Sequence, residues 1–100
     1  MNYSLVACDL DGTLLDDHSH VSKDSFSAIH QMTEEGVEFV LCTGRTFYEI
    51  PAELRAFPEI RYYIYSDGAV VYDKKEGKFI STHYFPTETL CSVVQLLTQF

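Results

Sequence analysis

Two aspartates separated by one residue, Asp9 and Asp11, are the side chains of this 100-residue sequence best suited to chemistry. They follow the apolar run Leu5–Cys8 and precede Gly12, which allows a sharp turn. An apolar run that stops at polar residues is typical of a strand buried on both faces, with its C-terminal end open to solvent. Ligands of open α/β sheets bind at that end, so the pair lies where a ligand would be expected.

The spacing of this pair predicts a cation site. If both residues stay extended, Asp9 and Asp11 project to the same side of the chain, about 6.6–6.8 Å apart. Neighbouring carboxylates repel unless one is protonated or a cation lies between them, and the hard, oxygen-liganded Mg²⁺ suits that position. The alternative is that Asp-Gly only begins a turn. An Asp-x-Asp-Gly-Thr match arises by chance about once in a thousand chains of this length, which favours the functional interpretation.

The first half of the chain predicts a βαβ unit. A helix with Ser22 as its N-cap and Gly36 just beyond its C-terminus separates the first strand from a second one over 37–42. A strand–helix–strand unit of this kind joins two parallel strands by a right-handed crossover, so the two strands should be parallel. Their polar ends then lie on one edge of the sheet, which brings Thr43-Gly44-Arg45 towards the aspartate pair.

The second half continues this pattern and then changes it. A helix over 46–57, interrupted or begun near Pro51, leads to a third strand over 62–65. An antiparallel hairpin is expected next, with strands over 70–72 and 78–84, and a final amphipathic helix begins at Pro86.

These motifs resemble those of a known superfamily. Asp9-Leu10-Asp11-Gly12-Thr13-Leu14 resembles the first motif of the haloacid dehalogenase-like (HAD) Mg²⁺-dependent phosphohydrolases, and Thr43-Gly44-Arg45 resembles the second. With Ser66-Asp67-Gly68-Ala69, the order is similar to that of the Cof-type branch, whose members dephosphorylate small phosphorylated metabolites. The resemblance covers essentially the whole chain, which matches only the first part of such an enzyme.

The resemblance implies a fold and a division of the chain. The fold is α/β, with a Rossmann-like parallel sheet and flanking helices, and it forms an incomplete HAD-like core followed by the start of an α+β cap domain. Residues 1–82 would form the N-terminal part of the core, and residues 83–100 the beginning of the cap.

The residues and the resemblance together suggest roles. Asp9 can act as the nucleophile that forms an aspartyl-phosphate, and Asp11 can protonate the leaving group and later deprotonate water. The resemblance implies that Asp9 and Asp11 bind Mg²⁺, Asp11 through its main-chain carbonyl. Phosphate would be bound by main-chain amides near Leu10, Asp11 and Gly44 and by the Thr43 hydroxyl. Arg45 could contact phosphate or substrate, or could pair with an acid; we favour contact.

Two departures from the Cof-type pattern stand out. Asp67 takes the place of the usual Asn, either adding charge near the site or starting the hairpin turn. The Cof-type pattern also has a later Lys and a later acidic motif that completes the Mg²⁺ shell, and neither has a counterpart in these 100 residues. Lys74, Lys75 and Lys78 lie in the hairpin turn and do not match the Lys motif. We therefore expect the N-terminal portion of a longer enzyme, and no activity from these 100 residues alone.

Composition narrows the alternatives. Hydrophobic residues make up 46% of the chain, enough for a core, and the net charge of −8 argues against nucleic-acid or anionic-membrane partners. The start lacks a signal-peptide pattern and no apolar run approaches membrane-spanning length, so a cytoplasmic protein of undetermined oligomeric state is expected. Cys8, Cys42 and Cys91 lack metal-ligand spacing and should be small buried apolar residues.

Two other functions remain open at this point. A receiver-like module would accept phosphate on one strand-end aspartate, but it predicts neither the Asp-x-Asp pair nor Thr-Gly-Arg. A non-catalytic fragment or phosphate-binding module would keep the strand ends without turnover.

Overall fold

A computed structural model describes residues 3–100, which form one five-stranded sheet of order β1-β2-β3-β4-β5. The first three strands are parallel and the last two are antiparallel. The strands are β1 (Leu5–Asp9), β2 (Glu38–Cys42), β3 (Ile60–Tyr65), β4 (Val70–Asp73) and β5 (Lys78–Thr82), and the helices are α1 (Lys23–Glu34), α2 (Ala52–Arg55) and α3 (Thr87–Leu97). The predicted α/β class, with parallel strands and flanking helices, is confirmed.

Helix α1 begins and ends where its local signals predict. The Ser22 hydroxyl accepts a hydrogen bond from the Ser25 N–H (3.1 Å), which satisfies a donor of the first turn. Gly36 follows the helix with φ of 83°, a conformation that costs a residue without Cβ little. The helix therefore delivers the chain from the end of β1 to the start of β2, next to it in the sheet.

Both crossover helices pack on the same face of the sheet. Ile29 of α1 and Leu54 of α2 share one buried cluster with Leu41 and Tyr63, which are register partners in β2 and β3. Right-handed crossovers that step in one direction, from β1 to β2 to β3, place successive helices on one side. The opposite face, by strand alternation, carries Asp9, Cys42 and Ile64.

Strand β1 differs from expectation in its burial. It lies at the edge of the sheet, and its residues alternate between exposed and half-buried, with Leu5 53% exposed. The prediction of burial on both faces is therefore wrong for the chain over residues 3–100. The reason is that α1 and α2 cover one face only and β2 covers one edge only.

The predicted helix over 46–57 is two short pieces. A turn over Phe47–Glu49 is separated from α2 by Pro51, which has no N–H to donate to a continuous helix. The Glu49 carboxylate accepts hydrogen bonds from the Thr46 N–H (3.0 Å) and hydroxyl (2.7 Å), which fixes the first piece. The break leaves the segment after Arg45 as a compact turn next to the end of β2.

Lys74 joins the hairpin to the C-terminal end of α2 and to β3. Its ammonium donates to the carbonyls of Arg55 (2.9 Å) and Phe57 (2.8 Å) and to the Tyr63 hydroxyl (3.1 Å). Removal from water lowers the pKa of Lys74. Although the sequence places Lys74 in a turn, it satisfies carbonyls at the C-terminal end of α2 and is a structural residue.

Helix α3 presents apolar residues to solvent. Within the described chain, Leu90, Val93, Val94 and Leu97 are 38–64% exposed, as expected for a face with no partner here. Cys91 on this helix is exposed, so its predicted burial is wrong. The boundary between residues 82 and 83 stays a prediction. Across residues 3–100 we find no helix whose length and apolar character would let it span a membrane.

Replacement of Lys74 by Met should destabilise the protein, because three acceptors lose their common donor. We expect a loss of about 1–3 kcal/mol in the free energy of unfolding, measured by urea denaturation. Lys75→Met, at an exposed neighbouring position, is the matched control and should change it little. Equal stabilities for the two variants would contradict this role for Lys74.

The Arg61–Asp73 pair should make stability depend on pH. Arg61 donates to both Asp73 oxygens (2.9 and 2.7 Å), and this hydrogen bonding holds the pKa of Asp73 below its usual value. An aspartate with a lowered pKa stabilises the folded protein at pH values above its unfolded-state pKa, about 3.9. This stabilisation is lost as the pH falls through the pKa of the folded state. The stability gap between wild type and Asp73→Asn should therefore shrink below about pH 4.

As a control, the stability difference that Asp73→Asn makes is also measured in Arg61→Gln protein. There the difference should depend much less on pH. Urea denaturation of the four proteins between neutral and acidic pH provides the data. A gap that grows as the pH falls would overturn the assignment.

Candidate functional site

The polar ends of the parallel strands meet at one edge of the sheet, as predicted. In the register, Asp9 is the partner of Cys42, and Cys42 is the partner of Ile64. A cavity of about 380 Å³ opens beyond these residues, and its lining consists of Asp9, Cys42, Thr43, Gly44, Ile64, Asp67 and Gly68. Three parallel strands therefore contribute to one open cavity that contains two carboxylates.

The chain turns sharply after Asp9. Leu10 is fully buried in the core, and its carbonyl accepts the Leu15 N–H at 3.0 Å, which closes a wide turn. Gly12 has φ of 74° within this turn, the conformation for which glycine is suited. The extended backbone that would place Asp9 and Asp11 side by side is not maintained, and Asp11 does not line the cavity.

The Asp11 carboxylate is instead paired with Arg45. The Arg45 Nε donates to Asp11 Oδ2 (2.9 Å) and Nη2 donates to Oδ1 (2.6 Å), a bidentate pair. These hydrogen bonds lower the pKa of Asp11 and raise that of Arg45. Of the two alternatives for Arg45, the structure shows pairing with an acid, and this guanidinium is the cation that neutralises Asp11.

Main-chain hydrogen bonds join the segments that follow β2 and β3. The Thr43 N–H donates to the Ile64 carbonyl (2.9 Å), and the Asp67 N–H donates to the Thr43 carbonyl (3.2 Å). The Ser66 N–H donates to the Arg45 carbonyl (2.9 Å). The two segments therefore form one rigid rim of the cavity.

Thr43 keeps a hydrogen-bond donor available at this rim. Its side chain is nearly buried, 7% exposed, and its hydroxyl oxygen accepts the Arg45 N–H at 3.1 Å. A hydroxyl that accepts one hydrogen bond still has its own proton to donate. Thr43 can therefore donate to an anionic oxygen placed in the cavity.

Asp67 faces the cavity from the other segment, and it packs against Gly44. Ser66 and Asp67 both have positive φ, 51° and 53°, an uncommon conformation that Asp tolerates better than most residues. A Cβ built on Gly44 would lie 2.8 Å from Asp67 Oδ1 and 3.3 Å from its Cγ. The sequence marked Asp67 only as a departure from the Asn of the Cof-type pattern, and the structure adds its position.

The cysteines beside the site are not activated nucleophiles. Cys8 and Cys42 are half-buried, and no disulfide joins the cysteines of the described chain. Burial raises the pKa of both thiols, and the neighbouring Asp9 charge raises it further. Because the thiolate is the nucleophilic form, these shifts favour the expected structural role over a catalytic one.

The donors at the cavity are of the kind that Mg²⁺ takes. Asp9 and Asp67 supply carboxylate oxygens, hard ligands suited to this ion. The Asp11 carboxylate is held by Arg45 and Asp11 is not among the lining residues, so of the two predicted Mg²⁺ ligands the structure brings Asp9 to the cavity. Over residues 3–100 there is no group of three His, Cys, Asp or Glu residues placed to hold a metal. The residues fit part of a Mg²⁺ shell.

Comparisons with known proteins agree with this architecture. The family of haloacid dehalogenase-like hydrolases matches residues 6–100. The Bacillus subtilis protein YxeH is 36% identical over 97 residues, which cover 94% of this chain and 36% of YxeH. The 5-amino-6-(5-phospho-D-ribitylamino)uracil phosphatase YbjI of Escherichia coli is 31% identical over 104 residues, covering 99% of this chain and 36% of YbjI.

Solved structures show the same fold. A phosphatase of the haloalkanoate superfamily from Bacteroides thetaiotaomicron superposes with a TM-score of 0.84 at 27% identity, covering 98% of this chain and 36% of that protein. The chain thus spans little more than a third of the length of these three relatives.

Replacement of Gly44 by Ala should move Asp67. The added methyl group must displace the Asp67 carboxylate, which is the free end of an exposed side chain, so we expect a loss of about 0.5–1 kcal/mol in unfolding free energy. In Asp67→Gly protein, the glycine at position 67 accepts positive φ and carries no carboxylate to displace. Gly44→Ala should therefore lower the unfolding free energy less in that background. Urea denaturation of the four proteins tests this, and equal losses in both backgrounds would contradict the predicted contact.

Proposed function

The chain belongs to the haloacid dehalogenase-like hydrolases, and from that premise we propose that the protein is a Mg²⁺-dependent phosphatase of small phosphorylated metabolites. The observation that carries the proposal is the cavity at the strand ends, where Asp9 shares a lining with Thr43 and Gly44. The proposal concerns the whole protein, since this chain spans little more than a third of its relatives.

We propose Asp9 as the nucleophile. It ends β1 at the cavity, so its carboxylate can attack a phosphorus atom bound there. A bond forms between an Asp9 oxygen and phosphorus while the bond from phosphorus to the ester oxygen breaks. The product of this step is an aspartyl-phosphate, and a difficult hydrolysis becomes two easier steps.

We propose Asp11 as the general acid and base. In the first step it would give its proton to the departing ester oxygen, and in the second it would take a proton from the water that attacks the aspartyl-phosphate. Hydrogen bonding from Arg45 lowers the pKa of Asp11, which favours the carboxylate, the form required of the base. As the acid, Asp11 must carry a proton on one oxygen, which removes one of its two hydrogen bonds from Arg45 and leaves the other in place.

Phosphate binding is assigned to the turn after β1 and to the rim after β2. Main-chain amides at Leu10 and Gly44 would surround the phosphoryl oxygens, and Thr43 would donate its hydroxyl proton. Bound through Asp9 and the Asp11 carbonyl, Mg²⁺ would supply positive charge against the phosphate and the carboxylates. Asp67 lies at the same cavity and is an additional candidate ligand.

For the substrate we propose a class, taken from the relatives, and name no single compound. YbjI carries the name of a phosphatase for a phosphorylated ribitylaminouracil, a small metabolite. We extend only the class, a phosphate monoester of a small metabolite, to this protein. A cytoplasmic location stays a prediction.

Asparagine variants of the two aspartates test the proposed roles in the complete protein. Asp9→Asn should abolish phosphate release from p-nitrophenyl phosphate, because the amide is not a competent nucleophile. Asp11→Asn should reduce kcat by roughly 10²–10⁴-fold, the range of general acid–base catalysis. Asp17→Asn, in the exposed loop after the site, is the matched control and should retain activity. Full activity of Asp9→Asn would end the nucleophile assignment.

A further inference from the structure

We propose that Arg45 is a positioning residue that acts through Asp11 and does not bind the substrate phosphate. The inference deepens the proposed function and rests on it. It also revises the expectation, from sequence, that Arg45 contacts phosphate or substrate.

The contact geometry is that of a dedicated pair. Two parallel N–H···O bonds of 2.9 and 2.6 Å join the guanidinium of Arg45 to both Asp11 oxygens. Charge-assisted, bidentate pairs of this kind define orientation as well as distance. Asp11 lies within the wide turn that Leu10 and Leu15 close, and both oxygens of its exposed side chain are held by Arg45.

Arg45 is the fixed member of the pair. Its Nη1 donates to the Glu49 carbonyl (2.8 Å), its main-chain N–H donates to the Thr43 hydroxyl (3.1 Å), and its carbonyl accepts the Ser66 N–H (2.9 Å). Its side chain is 27% exposed, whereas that of Asp11 is 58% exposed. The arginine is therefore held from three sides, and the aspartate is held by the arginine.

The cavity supports the same conclusion. Thr43 and Gly44 line it on the β2 side, whereas Arg45 and its partner Asp11 both lie outside the lining, as one hydrogen-bonded pair. The Nε and Nη2 donors of its guanidinium, which could form two hydrogen bonds to a phosphate, are already bonded to Asp11. A phosphate bound there would displace Asp11 from its partner in the described structure, and with it the proposed acid and base.

A double-mutant cycle on the complete protein tests the proposal. We would measure kcat and KM for p-nitrophenyl phosphate, and the inhibition constant of inorganic phosphate, in wild type, Arg45→Ala, Asp11→Asn and the double variant. Arg45→Ala should lower kcat about 10–100-fold, with KM and phosphate inhibition nearly unchanged, because a misplaced acid affects the reaction more than binding. In Asp11→Asn protein the same substitution should change kcat less than about 2-fold.

Arg45→Lys separates charge from geometry. It keeps the positive charge but cannot form the two parallel hydrogen bonds, so kcat should stay low. Arg61→Gln is the matched control, because Arg61 forms the other bidentate pair with an aspartate, at the opposite end of β3, and its loss should leave kcat unchanged.

The outcomes distinguish the two proposals. No phosphate release from wild-type protein would overturn the proposed function and the inference together. If the wild type is active, any of three results would overturn the inference alone. The losses in kcat from Arg45→Ala and Asp11→Asn could multiply in the double variant. Phosphate could inhibit Arg45→Ala protein more weakly than wild type, or Arg45→Lys could restore kcat.

Discussion

The site depends on the parallel pairing of β1 with β2. This register places Asp9 opposite Cys42, so that the acid at the end of one strand and Thr43 just beyond the next come to a single edge. Side chains alternate between faces along a strand, and a slip of one residue would carry Asp9 to the side of the sheet that packs against the helices. The apolar core that specifies the register therefore also specifies the site.

The fold separates the packed face of the sheet from the cavity. Leu41 and Tyr63 face the helices and are fully buried, whereas their strand neighbours Cys42 and Ile64 line the cavity on the other side. Each strand thus carries a packing residue and a site residue in alternation. Because both crossovers lie on one face, α1 and α2 support the sheet from that side, and neither helix contributes to the lining of the cavity.

Features written in local sequence were predictable, and those made by distant contacts were not. The cap at Ser22, the strand ends and the hairpin follow from patterns of a few residues. The Asp11–Arg45 pair requires a turn at Gly12 and two segments far apart in the chain, so spacing alone could not give it. The exposure of β1 depends on which elements cover it. Lys74 resembled an ordinary turn residue because its three acceptors come from other segments.

The rim of the cavity is held by main-chain hydrogen bonds, and this has an evolutionary consequence. The bonds from Ser66 to Arg45, from Asp67 to Thr43 and from Thr43 to Ile64 involve only peptide groups, which every residue other than proline possesses. These bonds place no demand on side-chain type, whereas the positive φ at Ser66 and Asp67 and the close approach at Gly44 do restrict it. Asp and Asn both tolerate positive φ, so an exchange between the two at position 67 would alter the charge at the cavity and leave the main-chain frame intact.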